Sequence, residues 1–115
     1  MRSMRIVNQV LSIGFISLLF TTASAQGIQF TKGLSWDQVK QKAKDENKYL
    51  FVDCFTTWCG PCKRMDNEVY INDTVGKFMN SRFVSVKVQM DQTTKDDPYV
   101  RSWYSDARLI EKEYH

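Results

Sequence analysis

The sequence is poor in the residues that build metal centres and tight turns. Among 115 residues it has one histidine, His115, and two prolines, Pro61 and Pro98; its three cysteines are Cys54, Cys59 and Cys62. A structural zinc site takes four ligands. One Cys-x-x-Cys, one further cysteine and a terminal histidine offer no second half-site. Charge of one sign is not concentrated either. Lys and Arg number 16 against 13 Asp and Glu, and no basic stripe with interleaved aromatics points to nucleic acid. There is no internal repeat, no low-complexity tract and room for one domain at most. The apolar run Val10–Phe20 is too short to span a bilayer comfortably.

That run has its own meaning. Arg2 and Arg5 precede it without any acid, and Ala23-Ser24-Ala25 follows it. Basic, apolar and small-residue regions in this order read as a secretory signal peptide over residues 1–25. The alternative is an uncleaved N-terminal anchor. No cysteine stands at the expected cut, so a lipid anchor is not supported. Cleavage would leave residues 26–115 with a net charge of about +1. Export places the cysteines where disulfides persist, and their odd number leaves at least one thiol without a partner in the chain.

The mature part reads as helix, strand, helix, strand, helix. Ser35 and Gln38 form a capping-box pattern, with Leu34 and Val39 at the staple positions. Trp36, Val39 and Ala43 share one face, which predicts a helix from Trp36 to Glu46. Before it, Ile28–Phe30 suits a brief edge strand. Tyr49–Val52, resumed by Cys54 and Phe55, is apolar on both faces, as in a central parallel strand covered by helices. Asp53 is the anomaly, because a carboxylate there must be neutral, paired or at a solvated strand end. A helix from Pro61 to about Val69 and a second, capped by Asn72 or Asp73, precede the next strand. There Val84, Val86, Val88 and Met90 alternate with Ser85, Lys87 and Gln89, burying one face. Asp97 and Pro98 open a last helix carrying Val100, Trp103, Tyr104 and Ala107. This order implies a parallel α/β layer structure.

"TTWCGPCKRM", Thr56–Met65, carries the chemistry. Cys59 and Cys62 stand three apart at a helix start, so their side chains share a face and can bond. The free N–H groups of the first turn favour a thiolate at Cys59, the nucleophile of thiol–disulfide exchange. Cys62, one turn in, would be the resolving thiol. Gly60 leaves the approach to sulfur open, Pro61 stiffens the loop, and Trp58 forms surface beside the sulfur or simply packs it. Two rival readings remain. Half a zinc site lacks its other ligands. A structural staple closing so short a loop stabilises little. Asp53, at the end of the strand feeding the motif, could take the proton of Cys62 as a general base. Lys87 on the next strand could be its partner, or could lie on an exposed strand face. Cys54 points away from Asp53 and suits a small buried hydrophobe, the alternative being a disulfide partner or regulatory thiol.

"VDCFTTWCGPCKRM" resembles thioredoxin, with Val52, Asp53, Trp58, Cys59, Gly60, Pro61, Cys62 and Lys63 all standing as in that family; Lys87 and Asp91 match as K-x-x-x-D. The following "MDNEVYINDTVGKFMNSRF" is similar to exported thioredoxin-like domains, including the C-terminal domain of DsbD-type interchange proteins. The resemblance covers Leu34–His115. It implies a thioredoxin-like fold with a parallel β-α-β core, Cys59 as nucleophile, Cys62 as resolving thiol, Asp53 as proton acceptor and Lys87 as its modulator. Trp58, Gly60 and Pro61 would meet substrate. It also implies a C-terminal β-β-α half opened by a cis-proline loop. With only Pro61 and Pro98 in the sequence, that half is expected to be missing, as in a truncated product or a fragment. The expected activity is dithiol–disulfide exchange with protein disulfides, as a reductant fed by a membrane electron donor in an extracytoplasmic compartment. No metal or organic cofactor is implied, since the Cys59–Cys62 disulfide carries the electrons. The alternative is a non-catalytic binding module or inactive fragment.

Overall fold

Helix α1 runs Trp36–Asp45 and starts where the capping box predicts. The Ser35 amide donates to Gln38 Oε1 at 2.9 Å, and the Gln38 amide to Ser35 Oγ at 3.4 Å. Its exit is equally local. Asn47 takes a left-handed conformation at φ 50°, its amide reaches Lys44 O at 3.1 Å, and the Lys48 amide reaches Ala43 O at 2.9 Å. This is a Schellman stop with Asn in the glycine position. The computed structural model describes residues 27–114. The expected signal peptide over residues 1–25, and His115, lie outside them.

Strand β1, Tyr49–Phe55, pairs in parallel with β2, Phe83–Gln89. The register sets Asp53 opposite Lys87. The crossover consists of α2 (Gly60–Arg64), a π-helical turn (Met65–Val69) and α3 (Asp73–Arg82). The motif helix thus runs to Val69 as predicted, but its second half widens: the Tyr70 amide reaches Met65 O, five residues back, at 2.9 Å. Asn72, rather than Asp73, caps α3 and accepts from the amides of Thr74 at 2.9 Å and Val75 at 3.2 Å. The predicted last helix is two, α4 (Pro98–Ser102) and α5 (Tyr104–Tyr114). They break at Trp103, whose indole N–H donates to Leu34 O at 3.0 Å. The large ring is thereby fixed in the core rather than following a straight helix.

The two faces of β2 differ. Val84, Val86 and Val88 lie in a core with Trp36, Val39, Ala43, Trp103, Ala107 and Ile110, so α1 and α5 cover this face. Lys87 and Ser85 belong to the other. The alternation foretells the valines but not Ser85, which is buried as well. Residues 27–31 form a strap that explains it: Phe30 bridges to Ser85 in parallel, and the Thr31 amide donates to Ser85 O at 2.8 Å. The expected edge strand Ile28–Phe30 is thus a single bridge. The strap is pinned by Asn80, which donates to Gly27 O at 3.0 Å and accepts from the Gln29 amide at 2.9 Å. Backbone packs on backbone here. A Cβ on Gly76 would stand 2.2 Å from Gly27 O.

Two expectations for β1 need correction. Among the described residues β1 pairs only with β2, so it is not a central strand of this sheet. Cys54 is exposed and is not the small buried hydrophobe predicted. Its side of β1 carries Leu50 and Val52 near Trp36, Ile110 and Tyr114, and that cover stops short of the thiol. Partial burial, then the charge of Asp53, push the Cys54 thiol up from its ordinary value, which makes it a poor nucleophile.

Candidate functional site

The loop leaving β1 delivers the cysteines to the start of α2. Asp91, just past β2, holds that loop: its carboxylate accepts from the Thr57 amide at 2.9 Å and from the Thr57 hydroxyl. The Cys59 amide donates back to Thr56 O at 3.2 Å. Trp58 is left 77% exposed beside the sulfur, in keeping with a surface position. The K-x-x-x-D spacing had singled out Asp91, but its role as the anchor of this loop needed the parallel register, which brings the ends of the two strands together.

Cys59 is the N-cap of α2, and Cys59 and Cys62 form a disulfide with Cα atoms 5.3 Å apart. The Cys62 amide donates to Cys59 Sγ at 3.1 Å. A sulfur therefore takes the place that a Ser or Asp oxygen fills at an ordinary cap, satisfying an N–H of the first turn. Pro61 stands in the first turn, where its missing N–H leaves no helix bond unmade. Nothing lies within 4 Å of where a Gly60 Cβ would be, and Gly60 and Pro61 are exposed. The two sulfur-bearing residues are half-buried.

On the far side of β1 from Cys54, Asp53 faces a charged and aromatic cluster. Lys87 Nζ lies 3.5 Å from Asp53 Oδ2 and makes a closer ion pair with Asp66. Their side chains are 15%, 25% and 40% exposed for Asp53, Lys87 and Asp66, so Lys87 is a partner of Asp53 and not a solvated strand position. Three rings surround its ammonium, with centroids at 5.0 Å for Phe55, 5.5 Å for Phe30 and 5.7 Å for Tyr70, within cation–π range. Burial, then the negative charge of Asp53 and a hydrogen bond to it, push the Tyr70 hydroxyl up to about 12. That phenol stays protonated as a donor. Asp66 and Tyr70 have no sequence signal of their own. Among the described residues, no group of three or more His, Cys, Asp and Glu is placed to hold a metal ion.

Over 59 residues the chain is 39% identical to a thioredoxin H-type of Chlamydomonas reinhardtii, taking in 50% of this chain and 48% of that protein. It is 36% identical over 53 residues to a thioredoxin H-type of Fagopyrum esculentum, covering 46% and 44%. The chain thus spans less than half the length of these relatives. A solution structure of a Bacteroides thetaiotaomicron protein, proposed to be a disulphide-isomerase, matches with a TM-score of 0.57 at 37% identity, covering 78% of this chain and 64% of that one. The family model Thioredox_DsbH, described as "Protein of unknown function, DUF255", matches residues 24–111. The chain therefore belongs to the Thioredox_DsbH family and is a thioredoxin-like protein.

Proposed function

We propose that the chain is a thiol–disulfide oxidoreductase that reduces protein disulfides through Cys59 and Cys62. The observation that carries this reading is the placement of Cys59 Sγ at the N-cap, within 3.1 Å of the Cys62 amide. In the dithiol state the same N–H and the helix dipole favour a thiolate on Cys59. That thiolate attacks one sulfur of a substrate disulfide, forming a Cys59 mixed disulfide and expelling a substrate thiolate. Cys62 loses its proton to Asp53 and attacks Cys59 Sγ. The Cys59–Cys62 disulfide forms, and the second substrate thiolate leaves. Two electrons pass from the pair to the substrate, and Asp53 returns its proton to water. Trp58, Gly60 and Pro61 form the exposed surface the substrate meets.

The direction is reductive because the CGPC pair resembles reducing thioredoxins. Export through residues 1–25 and reduction by a membrane electron donor complete the proposal; mature protein beginning at Gln26 in the extracytoplasmic fraction is the expected result for the leader. Turnover is tested by insulin reduction with dithiothreitol. The wild-type chain accelerates it, and Cys59→Ser abolishes the acceleration. A folded wild-type sample without turnover would leave a binding module instead. A reduction potential near thioredoxin's value of about −270 mV is expected, whereas one near about −120 mV overturns the reductive direction.

A further inference from the structure

Lys87 faces two carboxylates rather than one. Asp53 comes from β1 across the parallel register, and Asp66 from the π-helical turn, one turn beyond Cys62. With all three ionised, the cluster carries one negative charge in excess, which leaves room for one proton. Asp66 makes the closer contact, and Asp53 stands at 3.5 Å. A lone pair of Asp53 and Lys87 would leave a largely covered ammonium without a counter-ion each time Asp53 became neutral, which is costly. Asp66 removes that obstacle.

We propose that Asp66 is a positioning residue for disulfide closure: it is the carboxylate that keeps Lys87 paired while Asp53 holds the proton taken from Cys62. The inference rests on the exchange reaction proposed above. The rings of Phe30, Phe55 and Tyr70 hold the ammonium between the two acids. The other titratable groups around it are few. The Tyr70 hydroxyl faces Asp53 as a neutral donor, and Cys54 lies on the opposite face of β1. Lys32, Asp97 and Tyr99 share with Lys87 the lining of a cavity of about 260 Å³. None of these is an ion-pair partner of Lys87.

Closure can be read without a protein substrate. In a Cys54→Ser background, reduced protein attacks 5,5′-dithiobis(2-nitrobenzoate) through Cys59, giving a mixed disulfide and one nitrothiobenzoate. Attack by Cys62 on Cys59 Sγ then releases the second. Asp66→Asn leaves Asp53 as the sole carboxylate on Lys87, so Asp53 is held as an anion and accepts the proton less readily. The second release is expected to slow by about tenfold and to change its pH profile. Asp66→Ser serves as a second neutral variant, and Asp66→Glu restores the rate. Adding Asp66→Asn to Lys87→Met has little further effect, because the route through Lys87 is already gone. Wild-type and Asp66→Asn profiles that superimpose overturn the inference alone, as does equal slowing in the Lys87→Met background. A wild-type protein that never releases the second nitrothiobenzoate overturns the redox-pair reading and this inference with it.

Discussion

Strand β2 has one face that is dry and one that is charged. Val84, Val86 and Val88 are buried against α1 and α5 beside Trp36 and Trp103, whose rings lie 6.4 Å apart. One residue over, Lys87 sits between Asp53 and Asp66 among three aromatic rings. The same strand thus holds the fold with one set of side chains and electrostatic machinery with the next. Area removed from water secures the first face, at roughly 25 cal/mol per Å² of apolar surface. The second face buries charges, which contributes little to stability by comparison. The division predicts that damage to one face leaves the other's property largely intact.

The largest test of that division is Trp103→Ala. It empties a core position and removes the bond to Leu34 O, and is expected to destabilise by about 3–5 kcal/mol in urea unfolding. At a temperature where the variant is still folded, its closure rate should match the wild type's. A closure rate altered as strongly as by the Asp66 variants would break the separation.

The next effect lies between the faces, in the loop after β2. Asp96 accepts from the Thr93 hydroxyl at 2.6 Å, the Tyr104 hydroxyl at 2.5 Å, Gln89 Nε2 at 3.0 Å and the Thr93 amide at 2.8 Å. These bonds, the Thr93 hydroxyl's first, hold its carboxyl well below the usual carboxylate range. Its folded-state value lies below its unfolded one, so the stabilisation is full above about pH 4 and is lost as pH falls through the folded value. Asp96→Asn should therefore narrow its stability deficit against the wild type as the medium is made acid. A deficit constant down to about pH 2 would contradict the assignment.

Smallest in stability is Trp58→Ala. The ring is 77% exposed, so unfolding should shift by no more than about 0.5 kcal/mol. Insulin turnover should fall through a raised KM, since the ring belongs to the surface proposed to meet substrate. Unchanged kinetics would remove Trp58 from that surface.

Much of this plan is local and could be read along the chain. Ser35 and Gln38 announce α1, Asp97 and Pro98 announce α4, and the valine alternation announces the dry face. Asp53 stands out because a carboxylate interrupts an apolar run, and the parallel expectation points from it toward Lys87. What escaped reading depends on the third dimension. Asp66 and Tyr70 matter only because the crossover lays the π-helical turn over the sheet, and no spacing rule encodes that. Ser85 reads as outward until Phe30 of a distant segment covers it. Cys54 reads as inward because its neighbours are apolar, yet its exposure is decided by how far α1 and α5 extend across β1.

The strap has a consequence in time. Its anchor joins Gln29 to Asn80 across 51 residues, so it closes a loop containing α1, β1 and the crossover as far as Asn80 in α3. Such a closure costs entropy before it returns any contact. It cannot form until α3 is in place to offer Asn80 and the bare backbone at Gly76. Phe30 therefore reaches Lys87 only once α3 has docked, joining the rings of Phe55 and Tyr70 that the strand and the crossover already supply. Until this segment latches, the Lys87 ammonium lacks one of its three rings.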